Sequence, residues 1–150
     1  MFSSLQFGFS GGSACSVSAP RPVEGLAIVN TRKWNECPDG RANRTEHLST
    51  TSLPGPDYGL NALRICTATD GTLQGVEARF FKLPHLRRSA AGQEMVTRKF
   101  ERNRCTTWEA WSVCSSGRSA AGIDIYSQTE YDGHVQGLRL VCKRVLAGVK

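Results

Sequence analysis

The chain has 150 residues, 39% of them hydrophobic and 21% charged, and a formal net charge of +6. That balance suits one globular domain, able to bury about two thirds of its unfolded surface. No run approaches the roughly 18 consecutive apolar residues of a membrane-spanning helix. The 15 glycines and 6 prolines follow no period, so collagen-like and coiled-coil readings fail.

Residues 1–19 carry no charge and end in Val17-Ser18-Ala19, a pattern that fits signal-peptide cleavage. A basic n-region is missing, however, and cleavage would remove Cys15 and leave an odd number of cysteines. This stretch reads as a Ser/Gly-rich leader or atypical signal segment, followed by one domain over 20–150. Strands are expected at Val23–Val29, Leu60–Cys66, Val76–Phe81, Ala121–Tyr126 and Gly137–Val145. All are rich in β-branched or aromatic residues, and turn signals such as Thr69-Asp70-Gly71 and Tyr131-Asp132-Gly133 bound them. Gln93–Arg104 allows a short helix without a clean apolar stripe. The class is all-β.

Internal repeats organise the chain. Aligning Cys37 with Cys114 puts Trp34 on Trp111, Gly40 on Gly117 and Arg41 on Arg118. Further on, Leu63-Arg64-Ile65 meets Leu138-Arg139-Leu140, and each run closes on a cysteine, Cys66 or Cys142. A weaker middle copy has Arg88-Ser89-Ala90-Ala91-Gly92 against Arg118-Ser119-Ala120-Ala121-Gly122. The repeats are thus about 34–66, 81–105 (degenerate) and 111–142. Trp34 and Trp111, at the repeated position, are expected in the core.

Six widely spaced cysteines without a Cys-x-x-Cys point to disulfides and an oxidising compartment rather than to zinc. Their repeat positions predict Cys37–Cys66 and Cys114–Cys142. Cys15 and Cys105 remain, either bonded to each other or, in a processed chain, leaving Cys105 free or intermolecular. The sequon at Asn43 agrees with secretion.

The runs Trp34-Asn35-Glu36-Cys37-Pro38-Asp39-Gly40 and Leu60-Asn61-Ala62-Leu63-Arg64-Ile65-Cys66 resemble one repeat of the vitelline membrane outer layer protein family. Trp108 to Cys114 and Gln136 to Cys142 resemble another. The resemblance implies a disulfide-stabilised β-prism of three Greek-key sheets about a pseudo-threefold axis. It also implies a secreted structural role in an egg coat or other extracellular layer, with coat proteins or glycans as partners.

No catalytic constellation emerges, and no cofactor or metal is implied. Gly8-Phe9-Ser10-Gly11-Gly12 matches the nucleophile elbow formally, but lacks the strand–helix context and the acid and His partners. His47, His85 and His134 are scattered. The alternative to a structural role is a lectin-like module that binds glycans or polyanions through a basic face. Residues 79–104 hold eight basic groups against two acidic ones. Candidate contacts are Trp108, Arg87, Arg88, Arg98, Lys99, Arg102 and Arg104. Nucleic acid is disfavoured, because aromatics do not interleave with these cations.

Overall fold

A computed structural model describes residues 4–18, 33–35, 37, 41–49, 58–82, 95–115, 118–127 and 135–144. The described residues form strands only, arranged as three antiparallel sheets. No helix among them is long and apolar enough to cross a membrane. The first sheet holds β1 (Ser4–Ser10), β2 (Ser13–Ser18), β3 (Lys33–Asn35) and β4 (Arg44–Ser49), in the order β3-β2-β1-β4. The second holds β5 (Tyr58–Thr67), β6 (Leu73–Lys82), β7 (Met95–Glu101) and β8 (Thr107–Trp108), in the order β7-β6-β5-β8. A short β9 (Ser112–Val113) also pairs with β5. Both orders are the Greek-key arrangement, made from consecutive strands. The third sheet is the hairpin of β10 (Arg118–Ser127) and β11 (Val135–Arg144).

The residues expected as a leader are therefore central strands. Leu5, Phe7 and Phe9 alternate with Gln6 and Gly8, and each apolar member is buried. Period-two alternation of this kind buries one face of a strand. Gly11 and Gly12 both have positive φ, as a two-residue type I′ hairpin turn requires. The helix allowed at Gln93–Arg104 is instead strand β7, where Val96, Arg98 and Phe100 lie more buried than Thr97, Lys99 and Glu101. Val23–Val29 lies outside the described residues. The other four expected strands are present.

All three hairpins carry a bulge at one equivalent place. Cys15 is the unpaired extra residue of β2, Gln74 of β6 and Gln136 of β11. Register then equates Val17, Val76 and Leu138, which face Phe7, Ile65 and Ile125. A second bulge falls at Asn61 in β5 and at Ala121 in β10, again equivalent. The Asn61 amide donates to the Cys114 and Arg118 carbonyls, both at 3.4 Å, and so ties the second sheet to the third. Apolar side chains from all three sheets meet in one core, among them Leu5, Phe7, Leu63, Phe80, Ile123 and Leu138.

This register corrects the sequence alignment of the repeats. Cys142 occupies the place of Phe80, not of Cys66, because each stands opposite an equivalent residue, Ala120 or Leu60. Trp34 pairs with Val17 as Phe100 pairs with Val76, whereas Trp111 lies between β8 and β9. The two tryptophans are not equivalent. The disulfides follow the units: Cys15–Cys37, Cys66–Cys105 and Cys114–Cys142, with Cα separations of 4.9, 5.6 and 5.6 Å. The pairs Cys37–Cys66 and Cys15–Cys105 do not form. The bridges from Cys15 and Cys66 each lock one four-strand unit, while Cys114–Cys142 joins the end of the second unit to β11.

Candidate functional site

Arg64, Glu77 and Lys99 stand side by side across β5, β6 and β7 on the solvent-facing side of the second sheet. Arg64 donates through Nε to Glu77 Oε1 at 2.6 Å and also pairs through Nη2. Its guanidinium lies 4.8 Å from the Trp108 ring centre and 5.1 Å from that of Trp111. Arg79 stacks on Trp111 at 4.3 Å, and the Lys99 ammonium sits 6.0 Å from Trp108. Guanidinium and ammonium groups are drawn to indole faces by the ring quadrupole.

Trp108 is half-buried and reaches this position because β8 pairs Trp108 with Cys66 at the edge of β5. Its ring covers Gly75, where an added Cβ would lie 3.3 Å from Cη2. Trp111 is also half-buried and stands outside the main core cluster, against the core role expected of it. Cation–π contacts with two arginines hold it on the sheet instead. The side chain of Trp34 lies outside the described residues.

The expected single basic face is divided, because Arg98 and Lys99 are neighbours on β7 and take opposite sides, while Arg102 and Arg104 follow the end of that strand. Lys99 is exposed on the tryptophan side. Arg98 turns the other way, donating through Nε to the Ser49 carbonyl at 3.2 Å. Arg102 lies over the Phe9 ring at 4.3 Å, and Arg104 pairs with Asp70. Arg87 and Arg88 lie outside the described residues. So do His85 and His134, while His47 is exposed on β4. Asn43 is exposed just before β4, as a sequon asparagine needs to be.

Where β4 and β7 converge, a cleft of about 280 Å³ opens beside the Gly11-Gly12 turn. Arg44 and Glu46 line it from the first sheet, and Glu101, Arg102, Asn103 and Arg104 from the second. Gln74, itself buried, closes its floor by donating to the Gly12 carbonyl at 2.8 Å. Asp70 anchors Arg104 from the β5–β6 turn. The Thr72 hydroxyl at 2.6 Å, the Thr72 backbone N–H at 3.0 Å and Arg104 pull the Asp70 carboxyl down to about 2. These bonds favour the charged form. Their contribution is complete above the ordinary value of 3.8 and is lost as pH falls through about 2.

Glu77 and the cleft residues Arg44, Glu46, Glu101 and Asn103 were not singled out by sequence, whereas Arg64 recurs with Arg139 as an outward-facing guanidinium and Arg79 belongs to the basic segment. A usable signal was present. Asp70-Gly-Thr-Leu-Gln-Gly-Val76 repeats as Asp132-Gly-His-Val-Gln-Gly-Leu138, which sets the true register. In that register Arg64–Glu77 corresponds to Asp124–Arg139, a cross-strand pair at 3.7 Å with its charges exchanged. Arg64 and Arg139, matched by sequence, lie on opposite strands of their hairpins. Among the described residues no group of three His, Cys, Asp or Glu side chains could hold a metal ion. Comparison of the chain with family models, curated proteins and solved structures finds no match.

Proposed function

We propose that this chain is a secreted, non-catalytic structural component of an extracellular layer, such as an egg coat. The proposed architecture is a β-prism of the vitelline membrane outer layer kind, with one Greek-key sheet per unit about a pseudo-threefold axis. The observation that carries this reading is the disulfide set: all six cysteines are paired, two pairs within units and one between them. Such bridges persist in oxidising compartments and suit a protein that must endure outside the cell. Fractionation of producing tissue tests it. The chain should appear in the extracellular layer with no reactive thiol; recovery from the cytosol with reduced cysteines would refute the proposal.

A lectin-like role is the second reading, favoured by Trp108, whose half-buried indole is framed by Arg64 and Lys99. An indole so placed offers a sugar ring an apolar platform beside cations. A glycan array at two salt concentrations tests it. Salt-sensitive retention of sulfated glycans supports this role, and no retention at either salt removes it.

A further inference from the structure

The cleft between the first and second sheets holds charges that do not satisfy one another. Arg102 is set by two contacts: its backbone N–H donates to the Gln74 carbonyl at 2.8 Å, and its guanidinium lies over the Phe9 ring. Its Nη1 is buried and has no hydrogen-bond partner. That atom is beyond a cleft ligand's reach, but the residue stays partly exposed where it lines the cleft, and an oxyanion is the acceptor a guanidinium fits best. The packing on Phe9 also holds the group ready, so a ligand has little side-chain motion to freeze. Arg44, on the facing edge strand β4, makes no ion pair with a described residue, and neither do Glu46 and Glu101.

Two carboxylates in the same cleft decide what kind of anion fits. They would repel a bare oxyanion at close range, yet they accept hydrogen bonds well from hydroxyl groups. A ligand that satisfies every group carries an oxyanion and several hydroxyls together. We propose that the cleft binds an acidic saccharide unit, with its oxyanion on Arg102 and Arg44 and its hydroxyls on Glu46, Glu101 and Asn103. This rests on the lectin-like reading and places its ligand in the cleft, away from Trp108.

Calorimetry on the full oxidised chain tests it, using a sulfated heparin-derived disaccharide, its desulfated uronate-containing counterpart, and inorganic sulfate. The sulfated disaccharide should bind, and Arg102→Gln should weaken it roughly ten- to hundredfold, as for a lost charge-assisted bond. Arg44→Gln, at an exposed position that does not threaten folding, should weaken it in the same direction. Glu46→Gln should weaken the disaccharide while leaving inorganic sulfate as weak as before or tighter. Retention of the desulfated sugar assigns the oxyanion to the uronate, and its loss assigns it to the sulfate. Trp108→Ala separates the two places on the surface: saccharide binding lost in Arg102→Gln and Arg44→Gln but kept in this variant puts the ligand in the cleft rather than on the indole. Binding lost in Trp108→Ala but kept in Arg102→Gln and Arg44→Gln would overturn the cleft site and leave the lectin-like reading standing. No saccharide binding at low salt would overturn both.

Discussion

In the first sheet the extra residue of the hairpin bulge is Cys15, bonded covalently to Cys37 beyond the third strand. In the second sheet the same place is filled by Gln74, whose amide donates to the Gly12 carbonyl and to the Thr72 hydroxyl. The staple of that sheet lies instead on the neighbouring strand, as Cys66–Cys105. Strand order and bulge are held in common while the means of fastening them differ. The backbone register and the inward-facing side chains therefore carry the fold, and the cross-links are exchangeable additions to it.

The largest effect should come from that shared inner face. Phe7 and Ile65 take the same place, opposite Val17 and Val76. Phe7→Ala, in a residue fully buried against Phe100, should cost about 3–5 kcal/mol in denaturant unfolding. Ile65→Ala should fall within about 2–5 kcal/mol. A loss under about 1 kcal/mol at Phe7 would mean that residues 4–18 are not part of the core.

Replacing either intra-unit pair by serine should be next. Closing loops of 22 and 39 residues predicts losses of about 3 and about 4 kcal/mol in the chain-entropy account. Near-native circular dichroism in both double variants would support exchangeable staples; collapse of strand content in either would show that its sheet depends on the bridge. Gln74→Ala should cost about 1–3 kcal/mol, since it strands the Gly12 carbonyl beside a buried bulge. If the cost is negligible, the amide is not what fastens the second sheet to the first.

The smallest effect concerns the exchanged ion pair. Arg64→Glu combined with Glu77→Arg copies the sense of Asp124–Arg139, and should be more stable than either single variant. A double-mutant cycle should return coupling of about 1 kcal/mol or less, given partial exposure. Absence of coupling would show that Arg64 is held by its two tryptophans rather than by Glu77.

The long hairpins β5–β6 and β10–β11 were legible in the sequence because their apolar residues are dense and an Asp-Gly pair stands between the two runs of each. The first hairpin was not, although Leu5, Phe7 and Phe9 alternate and Gly11-Gly12 can make its turn. Serine and glycine there suggested a leader, and only its neighbours β3 and β4 show what it packs into. Strand β7 was obscured because five of its seven side chains, in Thr97, Arg98, Lys99, Phe100 and Glu101, also suit a solvated helix end. Cys114–Cys142 was legible, but Cys37–Cys66 and Cys15–Cys105 were misread, because matching Cys66 with Cys142 ignores which strand of the hairpin each occupies. The cleft was invisible, since it is assembled from β4 and β7, about 50 residues apart in sequence.

Consecutive strands form the units, two of them locked internally and the second joined to the third by one bridge. Peptide mapping of the oxidised protein without reductant, read by mass spectrometry, tests this arrangement most directly. Linked peptides containing Cys15–Cys37, Cys66–Cys105 and Cys114–Cys142 are expected, with no free thiol. Linkage of Cys37 to Cys66, or of Cys15 to Cys105, would contradict it.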